Sequence, residues 1–174
     1  NLGCSQAVVA ARSGQCGVVW WKLPGPAARA KTLEDLIEWD APCDAPAIAE
    51  AKLALVPERH QRLLGAKSRH VAPGYRRTRE SGRVLELRFD GIAGCLRTPE
   101  GGSSRQIVVL KDGAATRTRL LTVREAARLM GAPDKFKLPG TYNDGYKAMG
   151  DGVAVPVASH LAKHLLRPLV RAAS

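Results

Sequence analysis

The chain has 174 residues, enough for one domain or one and a half, with roughly 70% of the unfolded surface removed from water on folding. Its 27 lysines and arginines against 16 acids leave a formal charge of +11, which points to a polyanionic partner, nucleic acid first and an anionic membrane second. No run approaches the ~18 apolar residues of a membrane span, and Cys4, Cys16, Cys43 and Cys95 form no Cys-x-x-Cys pair, so a soluble cytoplasmic protein with reduced thiols is expected.

The first residue is Asn1, which implies either a processed start or a piece of a longer polypeptide. Between residues 7 and 21 two apolar runs, "AVVAA" and "GVVWW", flank "RSGQ" and predict a strand, a turn and a second strand. "KLPGPAARAK" is a loop by its prolines and glycine. "TLEDLIEWD" starts at Thr32 with acids in its first turn and predicts a short helix, closed by "APCDAP". Residues 47 to 64 predict a further helix that Pro57 interrupts. Residues 58 to 83 are the most basic and least periodic part, with Arg59, Arg62, Lys67, Arg69, Arg76, Arg77, Arg79 and Arg83 against Glu58 and Glu80. They read as a segment that is mobile or ordered by a partner.

"RVLELRF" then alternates as a strand and is followed by the loop "DGIAGCLRTPEGGSSRQ". The strand "IVVL", the Asp112-Gly113 turn of "KDGAA" and the returning strand "TRTRLL" predict a hairpin. Residues 123 to 130 predict a short helix and residues 153 to 169 a last one. No internal repeat is present.

The helix at 123 to 130 has fixed ends. Thr122 and Glu125 make a capping-box pattern, Gly131 suits the left-handed terminating position, and Pro133 forbids continuation. Val123, Ala126, Ala127, Leu129 and Met130 share one arc, so the helix docks by small residues. Arg124, Glu125 and Arg128 fall on the other arc, and Arg124 and Arg128 stand at i, i+4, where like charges repel. Two readings offset that repulsion: the arginines pin neighbouring loops, or they meet a phosphate backbone.

"TRLLTVREAARLMGAPDKF" resembles the ninth motif of the DNA cytosine-5 methyltransferases, approximately Arg-x-Leu-[Thr/Ser/His]-x-Arg-Glu-x-Ala-Arg-[Leu/Val]-[Gln/Met]-Gly-x-Pro-Asp-x-[Phe/Tyr]. In that family the motif organises the target-recognition domain. The resemblance therefore implies structural roles for Arg119, Thr122, Arg124, Glu125, Arg128, Gly131, Pro133 and Asp134.

Upstream, "GIAGCLRTPEGGSSRQ" is a glycine loop whose residues Arg97, Thr98, Ser103, Ser104 and Arg105 are donors for phosphates or base edges. It resembles the family's second recognition loop, Thr-Leu-x-x-x-x-Gly-Gly. Leu96, Gly101 and Gly102 fit that pattern, and Cys95 stands where threonine is usual. With the basic segment, the implied DNA-binding set is Arg76, Arg77, Arg79, Cys95, Leu96, Arg97, Thr98, Gly101, Gly102, Ser103 and Arg105.

"YKAMGDGVAVPVASHLAKHLL" resembles the tenth motif, Gly-Asn-[Ser/Ala]-Val-x-x-Pro, whose helix lines the S-adenosylmethionine pocket. That implies cofactor contacts at Asp151, Gly152 and Val153, with Asp151 and Gly152 replacing the usual Asn and Ser. The apolar arc of that helix covers about half its circumference and wants a large partner surface. His160 and His164 fall on its polar face and read as solvated, so no metal is expected. "NLGCSQ" matches the start of the eighth motif only at its glutamine, Gln6.

The family's Pro-Cys-Gln nucleophile, its Glu-Asn-Val and its glycine-rich cofactor loop do not occur in this sequence. Cys43, in "DAPCDAP", stands in the only Pro-Cys of the sequence but is flanked by acids and lacks the family's glutamine, so it is not read as the nucleophile.

The resemblance thus implies a carboxy-terminal half, inactive alone: residues 1–39 the end of a catalytic-domain-like segment with a linker helix, 40–136 a target-recognition domain, and 137–174 a carboxy-terminal segment. The implied fold is α+β, a small, twisted, mainly antiparallel sheet with long loops, a short brace helix, and a terminal helix that would pack on a Rossmann-like methyltransferase domain. Its partners would be double-stranded DNA, near the nucleoid, and a catalytic subunit or the amino-terminal half of the same enzyme. S-adenosylmethionine would bind only with that half. A non-catalytic DNA-binding remnant of the same fold is the rival reading. A basic RNA-binding module is disfavoured, because Trp20, Trp21, Trp39, Tyr75 and Phe89 form no stacking platform by spacing.

Overall fold

Four consecutive apolar residues, Ile107 to Leu110, are wholly buried, a pattern that a strand shows only when both faces of its sheet are covered. The computed structural model describes residues 8–13, 16–80, 82–96, 105–138 and 140–173. In chain order these form β1 (Val8–Ser13), β2 (Cys16–Trp21), α1 (Pro46–Leu53), α2 (Glu58–Gly65), β3 (Arg69–Arg79), β4 (Gly82–Leu87), β5 (Ile107–Asp112) and β6 (Ala115–Leu120). The helices α3 (Val123–Leu129), α4 (Tyr142–Asp151), α5 (Val155–Leu161) and α6 (Arg167–Ala173) follow, with a π-helical turn, Ala162–Leu166, joining the last two. Among the described residues no helix is long and apolar enough to cross a membrane.

Two units are distinct: Ala30–Gly152, and Asn1–Arg29 with Val153–Ser174. The first is α+β. Its sheet runs β4-β3-β5-β6 with every neighbour antiparallel. On one face Val71, Val108 and Leu110 pack with Leu33, Ile37, Leu121, Ala126 and Tyr146. On the other, Ala72, Ile107, Val109, Leu85 and Leu87 pack with Val56 and Leu64. The sheet is thus the middle of three layers.

The eleven-residue β3 serves two partners: Arg69 to Gly74 pair with β5, and Gly74 to Arg79 pair with β4. Gly74 is the crossing point, where a Cβ would come within 2.5 Å of the Glu86 carbonyl oxygen. Pro73 has no N–H for the ladder, and its carbonyl accepts from Arg88 N at 2.8 Å. Beyond Gly74, β3 and β4 continue as a two-stranded ribbon with exposed arginines.

In the second unit β1 and β2 form the antiparallel hairpin that their apolar runs predict. The terminal helix begins at Val155, with Pro156 in its first turn, and runs to Ala173 rather than spanning 153 to 169.

The helix expected at residues 32 to 40 is corrected. "TLEDLIEWD" forms turns, not a helix. Thr32 and Asp35 make the local cap, but the carbonyls that would propagate a helix have other donors: Glu34 O accepts from Trp39 Nε1, Leu36 O from Arg128 and Glu38 O from Arg119. Residues 58 to 83, read as mobile or ordered by a partner, lie in α2, β3 and the start of β4, with residue 81 outside the described residues. Arg62 pairs with Glu58, and the Arg69 guanidinium lies 4.2 Å from the Trp39 ring centroid. The helix expected over 47–64 is two helices, with Pro57 as the N-cap of α2. Helix α4, from "TYNDGYKAMGD", was not expected; Thr141 caps it by accepting from Asp144 N.

Candidate nucleic-acid interface

The brace helix α3 is organised by one buried ion pair. Arg119, on β6, and Glu125, on α3, are 4% and 0% exposed, and lie 2.5 Å apart. The Glu125 carboxylate also accepts from Glu38 N at 2.7 Å and from Thr122 N at 2.8 Å, while Arg119 donates on to Glu38 O at 2.8 Å. Thr122 Oγ1 accepts from Glu125 N and closes a capping box, and Gly131 ends the helix region with φ of 78°. These donors offset the cost of burying the carboxylate, while among the described residues Arg119 Nε has no acceptor.

Arg124 and Arg128 do not share a ligand. Arg124 donates to Phe136 O at 3.0 Å. Arg128 pairs with Asp134 at 2.7 Å and donates to Leu36 O at 3.2 Å. The hydrogen bond from Arg128 holds the Asp134 carboxyl below the usual range, and Asp134 in turn raises Arg128. Each arginine ties the helix to a flanking loop, the Pro133 turn for both and the 33–38 turn for Arg128. Helix α4 backs the brace: a Cβ on Gly145 would come within 2.5 Å of Val123 Cγ1, and Tyr142 OH donates to Leu121 O. Burial pushes the Tyr142 hydroxyl up to about 12, so it remains a donor at any physiological pH.

The cationic face lies along the β3–β4 ribbon. Strand register puts Tyr75, Arg77 and Arg79 on the side that continues Val71 and Pro73, and puts Arg76 and Arg83 on the opposite side, with Leu85. An open groove of about 790 Å³ borders the ribbon, lined in part by Tyr75, Arg77, Glu86, Arg88, Gly94 and Gln106. The segment entering the glycine loop crosses here. Tyr75 OH donates to Cys95 O, and a Cβ on Gly94 would come within 2.4 Å of the Tyr75 ring and 2.5 Å of Gln106 Nε2. Gln106 is wholly buried, and among the described residues its side-chain amide has no hydrogen-bond partner.

The residues implied for DNA binding are distributed unevenly. Arg77 and Cys95 share the groove, and Arg79 adjoins it through Glu86. Arg76 borders it from a strand position facing the other way. Leu96 packs on the core. Arg105 is held against α4, by Asn143 and over the Tyr142 ring at 5.4 Å. Arg97, Thr98, Gly101, Gly102 and Ser103 lie outside the described residues. Asp151 ends α4, Gly152 is its C-cap, and Val153 follows, 70% exposed. Three consecutive residues at a helix end, one of them charged, are too few to enclose S-adenosylmethionine. Among the described residues no cluster of three His, Cys, Asp or Glu side chains could hold a metal ion.

Sequence reasoning missed Glu86, Gly94, Gln106 and Glu38. Only Glu86 carried a local signal, as an acid two residues from Arg88 within an otherwise cationic strand pair.

The unit Ala30–Gly152 is an α+β domain whose antiparallel sheet extends into an arginine-bearing two-stranded ribbon. The model of the C-5 cytosine-specific DNA methylase family matches residues 58–167, more than half of the chain, and the chain belongs to that family. It is 54% identical over 43 residues to DNA (cytosine-5)-methyltransferase CMT2 of Oryza sativa subsp. japonica, covering 25% of this chain and 3% of that protein. It is 36% identical over 61 residues to type II methyltransferase M.SsoII of Shigella sonnei, covering 35% and 16%. With type II methyltransferase M.NgoPII of Neisseria gonorrhoeae it shares 42% over 60 residues, covering 34% and 18%. The aligned stretches therefore span less than a fifth of these relatives' own length.

Proposed function

We infer that this chain is the target-recognition and carboxy-terminal part of a DNA cytosine-5 methyltransferase. It binds duplex DNA and completes methyl transfer from S-adenosylmethionine to cytosine C5 together with a catalytic half that supplies the cysteine nucleophile and the cofactor loop. The observation that carries this reading is the family match over residues 58–167, which includes the ribbon arginines, the glycine loop and the brace helix but no nucleophile motif. The relatives named as type II methyltransferases support a place in restriction and modification.

In this reading residues 40–136 recognise the target and the exposed apolar side chains of the terminal helix, Val157, Leu161 and Leu166 among them, pack on the Rossmann-like domain of the missing half. Asp151, Gly152 and Val153 form one edge of a cofactor site that the catalytic half completes. The family's methyl donor supplies the transferred group. This chain's own part is to hold DNA by its phosphates and present the groove-side arginines to base edges.

Salt dependence tests the binding step. Association with mixed-sequence duplex DNA should weaken linearly in log–log form as salt rises, and Arg76→Ala with Arg83→Ala should lower the slope by about 0.9 for each phosphate that is no longer neutralised. Binding that is insensitive to salt, or a slope unchanged in both variants, contradicts the assignment. The departures at Cys95, Asp151 and Gly152 favour the second reading, a non-catalytic DNA-binding remnant, which predicts the same salt slope without methyl transfer.

A further inference from the structure

Among the described residues Glu86 is the one acid within strands β3 and β4, where the register places it opposite Tyr75 and diagonal to Arg77, while Asp90, also on the groove, pairs with Arg88. Its Oε2 lies 3.0 Å from Arg77 Nε, and its Oε1 accepts from Arg79 Nε at 2.8 Å. Both arginines are about half exposed, at 48% and 55%. A carboxylate here works against affinity, because it repels phosphates and neutralises part of the charge that attracts them. It adds little to stability either, since exposed ion pairs contribute almost nothing to folding. What remains is geometry. Unrestrained arginines sample many rotamers, whereas two guanidiniums on one carboxylate are fixed relative to each other. Alternate residues on a strand are about 6.6 Å apart, close to two base-pair steps of roughly 3.4 Å each. A ribbon of this width enters a major groove, where arginine prefers the O6 and N7 of guanine.

We propose that Glu86 is a positioning residue for sequence choice, holding Arg77 and Arg79 as a fixed pair that reads two guanines in the target duplex. This rests on the DNA-binding reading above. Without the carboxylate, Arg77 and Arg79 would supply attraction without selection.

The test is selection from a randomised duplex pool with the full chain, followed by sequencing of the bound fraction for wild type, Glu86→Ala, Arg77→Ala and Arg79→Ala. The wild type should enrich guanine at two positions. Each arginine variant should lose roughly ten-fold of that preference at one position. Glu86→Ala should lose it at both, with its affinity for the unselected pool equal to or above wild type and its melting temperature unchanged. A Glu86→Ala protein that enriches the same positions as strongly as wild type overturns the proposal. So does one whose pool affinity and melting temperature fall together, because that is a folding role. A wild type that binds DNA without selecting any sequence overturns the positioning role and leaves the DNA-binding reading standing. A wild type that binds no DNA overturns the reading beneath it.

Discussion

A carboxylate with no exposed surface survives at position 125 because four N–H donors reach it, two of them from Arg119. Removing the carboxylate leaves a buried guanidinium without its counter-charge, so Glu125→Ala should cost about 3–5 kcal/mol in urea unfolding. A loss below ~1 kcal/mol would show that the pair is not what holds the brace. The capping box was legible in "TVRE" because cap and closing acid are three residues apart. The other end of the network was not: Glu38 N reaches Glu125 across 87 positions, and no local pattern encodes that. Asp134 gives a pH test. Its folded pKa is lowered by the hydrogen bond from Arg128, so its stabilising effect is complete above the unfolded value near 3.9 and is lost as pH falls through the folded one. Melting temperatures of wild type and Asp134→Asn should differ at pH 6 and converge in acid, measured by thermal circular dichroism. A gap that persists at the lowest pH would contradict this linkage.

Elements were legible where period and turn chemistry agreed. The β5–β6 hairpin followed from two strand runs, "IVVL" and "TRTRLL", around the Asp112-Gly113 signal, and Gly113 takes a positive φ of 57°. The β1–β2 hairpin followed in the same way. Failure came where tertiary donors displaced local bonds, as in residues 32–40, and where charge hid pattern, as in β3, whose exposed half is nearly all arginine. Helix α4 was missed because Gly145 and Gly150 depress its propensity. In the fold Gly145 is the contact point with Val123, and the absence of a side chain is what lets α4 approach α3. Gly145→Ala should therefore destabilise by about 1–3 kcal/mol through overpacking, although alanine is the better helix former. Denaturant midpoints decide the sign: an increase in stability would mean that the α3–α4 contact is loose.

At the scale of the whole molecule, the charge of +11 and the family both point to DNA, and the stretches aligned with the relatives span less than a fifth of their length. The ends of the brace helix and its Arg119–Glu125 pairing positions were legible through the ninth-motif resemblance. The division of labour among the arginines was not, because ribbon face and ion pairing depend on strand register rather than on composition. The central claim is that recognition resides here and chemistry elsewhere. The most direct measurement is transfer of label from S-adenosylmethionine to mixed-sequence duplex DNA, by this chain alone and together with the polypeptide encoded immediately upstream. Transfer only in the mixture is the predicted result. Transfer by this chain alone, or silence in both while salt-dependent DNA binding persists, would contradict it.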